Sequence, residues 1–270
     1  MQSALDEPAG IPSVLAITAR ERARQLLKRT LPKRRAKLVL VRTLAEFKRE
    51  FRRSLVDAAI VDIAQPVDDT WSAVTMARDF PSVPFFALAS LRVADAGAIA
   101  RCVELDFADV LAEGIDDAAL GEMVLAQAFT RRFGEALSTA APELGLDTPL
   151  QQRAWRTVVS QGGRRLTTGE VAAQLQITRE HLSRTFATAG KPNLKRIIDL
   201  VRLIAAAELA KNPGHDVTDV ARILGFASVS HLSTTAQRIL GAKSASLARL
   251  RTADLIARFR QDRGRSRKRV

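Results

Sequence analysis

Two phrases in the second half of the chain set hydrogen-bonding side chains at helical spacing behind nearly the same lead-in: GEVAAQLQITREHLSRTF and, further on, TDVARILGFASVSHLSTTA. In the first, Leu182 and Phe186 lie four apart and face inward, which turns Arg179, Glu180, Ser183 and Arg184 onto other faces. These residues offer guanidinium forks, a carboxylate and a hydroxyl, groups that bind by charge and hydrogen bond. In the second phrase Ser228, Val229, Ser230, Ser233 and Thr234 offer hydroxyls and methyl groups but no charge. His181 and His231 are read as packing or capping residues. No segment carries a phosphate-binding glycine loop, a nucleophile elbow or a metal box, so the chemistry on offer is recognition, and no residue is given a catalytic role.

Short helices must position these groups. Thr167 with Glu170 three residues on forms a capping box, Val171, Ala172 and Leu175 give an apolar stripe, and after a turn at Gln176 and Ile177, Thr178 can cap a second helix. The second copy starts at Asp216 as N-cap, with Asp219 in the first turn where a carboxylate favours the helix dipole. Val220, Ala221 and Leu224 repeat the stripe, Gly225 sits where a left-handed residue is needed, Phe226 plugs the angle between the helices, and Leu232 and Ile239 continue the inward face. Each copy is thus a helix, a tight turn and a second helix, the geometry whose second helix enters a DNA major groove. Between them NLKRIIDLVRLIAAAELAKNP predicts a helix of about 20 residues and about 30 Å, near the roughly 34 Å of one DNA turn, a rod able to set two reading heads in successive grooves.

Charge agrees with that partner. Residues 151–270 hold 23 Lys+Arg against 8 Asp+Glu, a net +15, and residues 1–150 hold 19 against 21, a net −2, within a chain total of +13. A basic half of this density attracts polyanions, nucleic acid foremost. The single cysteine, Cys102, excludes a disulfide framework within the chain and points to a reducing cytoplasm. The start, MQSALDEPAG, lacks the pattern of a signal peptide, and no run approaches the roughly 20 apolar residues of a membrane span.

The order LTTGEVAAQLQITREHLSRTF, LVRLIAAAELAKNP, DVTDVARILGFASVSHLS resembles the DNA-binding domain of the arabinose-regulator (AraC/XylS) family across residues 149–249. The resemblance implies a seven-helix transcription regulator that can bind DNA as a monomer, with Glu180, Ser183 and Arg184 facing bases and Arg179 nearby. The second motif departs from the family: Leu232 and Ala236 stand where aromatic residues are usual, Thr234 where an arginine is, and Ser244 where a proline is. Its reading positions cannot make the bidentate arginine-to-guanine contact, so discrimination is expected from the first motif.

The first half reads differently. SVLAIT, KLVLV, AAIVDI, VPFFALAS and ADVLA are short apolar runs alternating with helical patterns, which predict a doubly wound, five-stranded parallel sheet. Residues 11–128 resemble a response-regulator receiver. That resemblance places Asp62 at the phosphoacceptor position, with Pro66 at the usual offset. Thr18 and Ala19 replace the acidic pair that would hold magnesium, Ala89 replaces the usual hydroxyl with Ser90 one step on, and Glu113 replaces the lysine. Two neighbouring carboxylates would repel a phosphate, so the domain is read as a pseudo-receiver with Asp62 unused. Its own charge is split, with 14 basic against 3 acidic residues in 13–53 and 5 against 16 in 54–150, faces able to pair between subunits.

The reading is an α/β receiver-like domain over 1–136, a linker over 137–148, an all-helical AraC-type domain over 149–250 and a basic tail over 251–270. A helix from Asp116 to about Phe133 is expected to lead out of the receiver, and RGRSRKRV to stay unfolded and add non-specific phosphate attraction. The function is a cytoplasmic, nucleoid-associated transcription regulator that binds double-stranded DNA and pairs as a homodimer through its first domain. RNA polymerase or another regulator is a further partner, and no cofactor, metal or membrane is called for. Alternatives are a phosphorylation-responsive regulator using Asp62, or a DNA-architectural adaptor with little sequence preference.

Overall fold

The computed structural model describes residues 10–64, 68–187 and 192–266. These fall into two compact units, one of Ile11–Arg132 with Asn212–His215, the other of the described residues in 133–211 and 216–266 with Gly10.

The first unit alternates strand and helix: β1 (Ser13–Ile17), α1 (Glu21–Thr30), β2 (Lys37–Val41), α2 (Leu44–Arg53), β3 (Ala58–Asp62), α3 (Asp68–Thr75), β4 (Phe85–Ala89), α4 (Ala96–Glu104), β5 (Asp109–Ala112) and α5 (Leu120–Gln127). The strands form one parallel sheet in the order β2-β1-β3-β4-β5, the flavodoxin-like arrangement in which sites form at the carboxyl ends of the strands. Alternate residues feed two cores because side chains of a strand point to opposite faces. Leu15, Ile17, Val61 and Phe85 meet Phe47 and Phe51 of α2, Val74 of α3 and Cys102 of α4 on one face. Val14, Ala16, Ile60 and Leu88 meet Leu26 and Leu27 of α1 and Leu120 and Val124 of α5 on the other. The fold is receiver-like, as expected.

The helix predicted from Asp116 to Phe133 is in fact two. It breaks at Ala128, whose ψ of 139° is not helical, and α6 (Phe129–Leu137) begins anew. The cause is a tertiary cap: the buried Asp57 accepts the Phe129 N–H on its carbonyl and the Thr130 N–H and hydroxyl on its carboxylate, whose other oxygen takes the Ser13 N–H at 2.6 Å. A side chain that satisfies the free donors of a new first turn stabilises a fresh start over continuation.

The second unit is helical: α7 (Pro149–Val159), α8 (Thr168–Gln174), α9 (Arg179–Thr185), α10 (Leu194–Leu209), α11 (Val217–Ile223), α12 (Val229–Leu240), a 3-10 segment (Ser244–Arg249) and α13 (Thr252–Ser266). Residues 137–148, read above as the linker, bury Leu137, Ala140, Ala141, Leu144 and Leu146, and the Trp155 indole donates to the Leu137 carbonyl at 2.9 Å. The connecting rod of about 30 Å is a helix of 16 residues, about 24 Å long. With 13 of those residues buried, α10 is the core on which both motifs rest and not an exposed spacer. Residues 251–270 are not all tail either, since α13 buries Leu255, Ile256 and Phe259. Of RGRSRKRV, residues 267–270 lie outside the described residues.

Candidate functional site

The caps that the sequence announces are all made. Thr167 and Glu170 close a capping box before α8, and their hydrogen bonds hold the Glu170 carboxyl below its usual range. Thr178 accepts the His181 N–H before α9, and Asp216 and Asp219 close a box before α11. Ser228, read above only as a DNA contact, accepts the His231 N–H and caps α12. The two turns share one backbone solution: Gly225 has φ +68° and Gln176, at the equivalent place, φ +56°.

On α9, Leu182 and Phe186 are buried and Arg179, Glu180, Ser183 and Arg184 are all exposed. Glu180, Ser183 and Arg184 stand at i, i+3 and i+4, one stripe of the helix surface. On α12 the candidates divide. Ser230 and Thr234 are exposed, Val229 is half-buried, the Ser228 hydroxyl is engaged in its cap, and the half-buried Ser233 hydroxyl lies 2.5 Å from that of Ser244.

Behind α12, α10 supplies two polar anchors that the sequence reading missed. Arg202, only 8% exposed, donates from Nε and Nη2 to the Leu224 carbonyl at 3.2 and 2.9 Å and stacks over the Phe226 ring at 3.9 Å. Burial draws its guanidinium below the usual arginine range, an effect the Asp199 charge partly offsets. Asp199 in turn accepts from Nη2 of Arg238 on α12 at 2.8 Å. The signal for Arg202 was an arginine between apolar neighbours in LVRLI.

In the first unit Thr18, Asp62 and Glu113 come together at the carboxyl ends of β1, β3 and β5, and Arg20 joins them. Its Nε and Nη2 hold the two Asp62 oxygens at 2.8 Å each, and its Nη1 holds Glu113 at 2.8 Å. The Thr18 hydroxyl donates to Asp62 at 2.5 Å, the Ala64 N–H at 3.2 Å, and Arg22 Nε stands 3.0 Å from Glu113 as an exposed ion pair. Burial alone would lower the Arg20 guanidinium, but hydrogen bonds to Asp62 and Glu113 raise it above the usual range. The two carboxylates, expected to stand together and repel a phosphate, are not bare: a cation sits between them. Magnesium does not fit this set, because both carboxylates at the strand ends, Asp62 and Glu113, are already engaged by the same arginine. Ala89 is buried, Ser90 lies 3.5 Å from Arg92 Nη2, and Pro66 falls outside the described residues. Arg20 follows Thr18 and Ala19 directly, so a basic residue beside the vacated acidic positions was the signal available.

A family model described as a helix-turn-helix domain matches residues 171–249, the stretch from α8 through the 3-10 segment. Residues 171–249 are an AraC-type helix-turn-helix domain. That stretch holds α9, α10, α11 and α12 and most of α8. No curated protein matches the chain. Among solved structures, full-length FixJ from B. japonicum aligns over 90% of this chain and 100% of its own at 14% identity and a TM-score of 0.40. A response regulator protein from Burkholderia pseudomallei with a phosphorylated aspartic acid aligns over 66% of this chain and 99% of its own at 20% identity and a TM-score of 0.35. The phosphorylated cyanobacterial phytochrome response regulator RcpA aligns over 43% and 91% at 14% identity and a TM-score of 0.35. Among the described residues no helix is long and apolar enough to cross a membrane. The AraC-type domain makes the protein a DNA-binding transcription regulator that carries a receiver-like domain.

Proposed function

We propose that the protein is a sequence-specific regulator of transcription in which α9 carries most of the discrimination among double-stranded sites. The observation that supports this best is the exposed stripe of α9, where Arg184 and Glu180 can reach base edges while Leu182 and Phe186 fix the helix from behind. Arginine paired to guanine is the commonest specific contact, and a helix held by its buried face presents it in one orientation. Arg184→Ala should weaken binding to the preferred site by about 1 to 3 kcal/mol and relax preference at one base pair, with a smaller loss on random duplex. Equal losses on both would make Arg184 a phosphate contact.

The receiver-like domain, on this proposal, works without phosphorylation and joins two copies of the chain. Arg20 already supplies the positive charge that a metal ion would bring to Asp62 and engages both of its oxygens, which supports a fixed state. Acetyl phosphate with magnesium should leave Asp62 unmodified by mass spectrometry, and an acid-labile phosphoryl group there would overturn this part. Pairing would raise the effective concentration of reading heads, and the split charge of residues 13–53 and 54–150 supplies complementary surfaces. Sedimentation at micromolar concentration should give a dimer, and a monomer would remove that part of the proposal.

A further inference from the structure

The second motif poses a physical problem: its reading positions carry no charge, yet a motif that docks on DNA needs cations near the backbone. A groove of about 660 Å³ beside α12 answers it, lined by Ser233, Thr234, Gln237, Arg238, Lys243 and Ser244. We propose that this groove is a phosphate-binding site for the DNA backbone, with Lys243 as the principal charge and Ser244 and Arg238 as hydrogen-bond donors. The proposal rests on the reading of the chain as a DNA-binding protein and adds a contact set outside the reading positions.

Four observations carry it. No carboxylate lines the groove, and its cations stand on two sides of it, Arg238 on α12 and Lys243 just before the 3-10 segment. Lys243 is exposed and has no ion-pair partner among the described residues, so its charge is available to a ligand. Arg238 is 48% exposed and held by Asp199 through Nη2, which fixes the planar fork and leaves other N–H groups to donate. The Ser233 and Ser244 hydroxyls share a single hydrogen bond at 2.5 Å; whichever donates, the other keeps its proton for an outside acceptor. A phosphate oxygen meets both the cations and that free hydroxyl.

Continuity selects the source of the phosphate. Ser230, Ser233, Thr234 and Gln237 stand at i, i+3, i+4 and i+7 on α12, so the groove prolongs the exposed stripe of the helix. A duplex that receives the first turns of α12 in its major groove brings its flanking backbone to the far end of that stripe, and contacts of this kind position the reading helix without adding sequence information. A free phosphate would meet the same groups, but without the neighbouring contacts that hold a backbone in an open groove.

The test uses the full chain with a preferred duplex and a random duplex, read by fluorescence anisotropy from 50 to about 300 mM salt. Lys243→Ala should reduce the slope of log K against log salt by about 0.9, the signature of one lost phosphate contact, and weaken both duplexes by the same factor, about five- to tenfold at intermediate salt. Lys243→Arg should restore both slope and affinity. An unchanged slope in Lys243→Ala overturns the proposal, as does a loss confined to the preferred duplex, which would make Lys243 a base contact. Binding of inorganic phosphate abolished by Lys243→Ala with the duplex slope intact would show a free-anion site and also overturn it. If the wild-type chain binds neither duplex, the DNA-binding reading fails first and the groove proposal with it.

Discussion

Removing Arg20 tests whether the first domain is held by its internal charge cluster. In Arg20→Met the Asp62 and Glu113 carboxylates, 5% and 6% exposed, lose the cation between them. Breaking a buried pair by deleting one partner costs about 3 to 5 kcal/mol, because a charge is left uncompensated. The lower end applies here, since Asp62 keeps the Thr18 hydroxyl and the Ala64 N–H, and Glu113 keeps Arg22, whose 81% exposure makes it a weak, screened partner. The expected loss is therefore about 3 kcal/mol, with about 2 recovered when Asp62→Asn is added to remove one of the facing charges. Amide hydrogen exchange of β3 and β4 in the full chain reports this domain separately from the helical unit. A loss below about 1 kcal/mol, or one that Asp62→Asn does not relieve, would show that the cluster is only a solvated ornament of the strand ends.

Other outcomes follow from single positions. Gln176→Gly should raise stability by about 0.5 to 1 kcal/mol in a urea melt, because a non-glycine residue at φ +56° is strained where Gly225 of the other copy is not; a loss would mean that the Gln176 side chain supports the turn. Arg202→Met should cost about 2 kcal/mol and loosen the α11–α12 turn, since the Leu224 carbonyl would lose both donors, and unchanged melting would show water replacing them without penalty. The buried Cys102 thiol is pushed up to about 11 by burial, so iodoacetamide at pH 8 should leave it unmodified in the native chain and alkylate it in urea; rapid native labelling would show that α4 opens.

What the sequence made legible is local. The strands showed because a strand covered on both faces is a run of apolar residues, and Thr167, Thr178 and Asp216 announced their helices because caps act within three residues. What escaped is tertiary. Arg20 meets side chains 42 and 93 residues away, and the break at Ala128 depends on Asp57, 73 residues before Thr130, with neither proline nor glycine at the break to mark it. The α10 pattern was read as a spacer because amphipathic spacing tells which face is apolar, not that neighbours cover the remaining faces. The exposed stripe of α9 was legible for the opposite reason: its residues face solvent, so local periodicity alone decides where they point.

The central claim is that the chain discriminates among duplex sequences through its AraC-type domain, and selection from a random duplex library followed by affinity measurement at fixed salt tests it most directly. The selected site should bind at least about 10³-fold more tightly than random duplex near physiological salt, with Arg184→Ala lowering that ratio. A steep salt dependence with no enriched sequence and equal affinity for all duplexes would contradict it and leave an architectural, sequence-indifferent binder in its place.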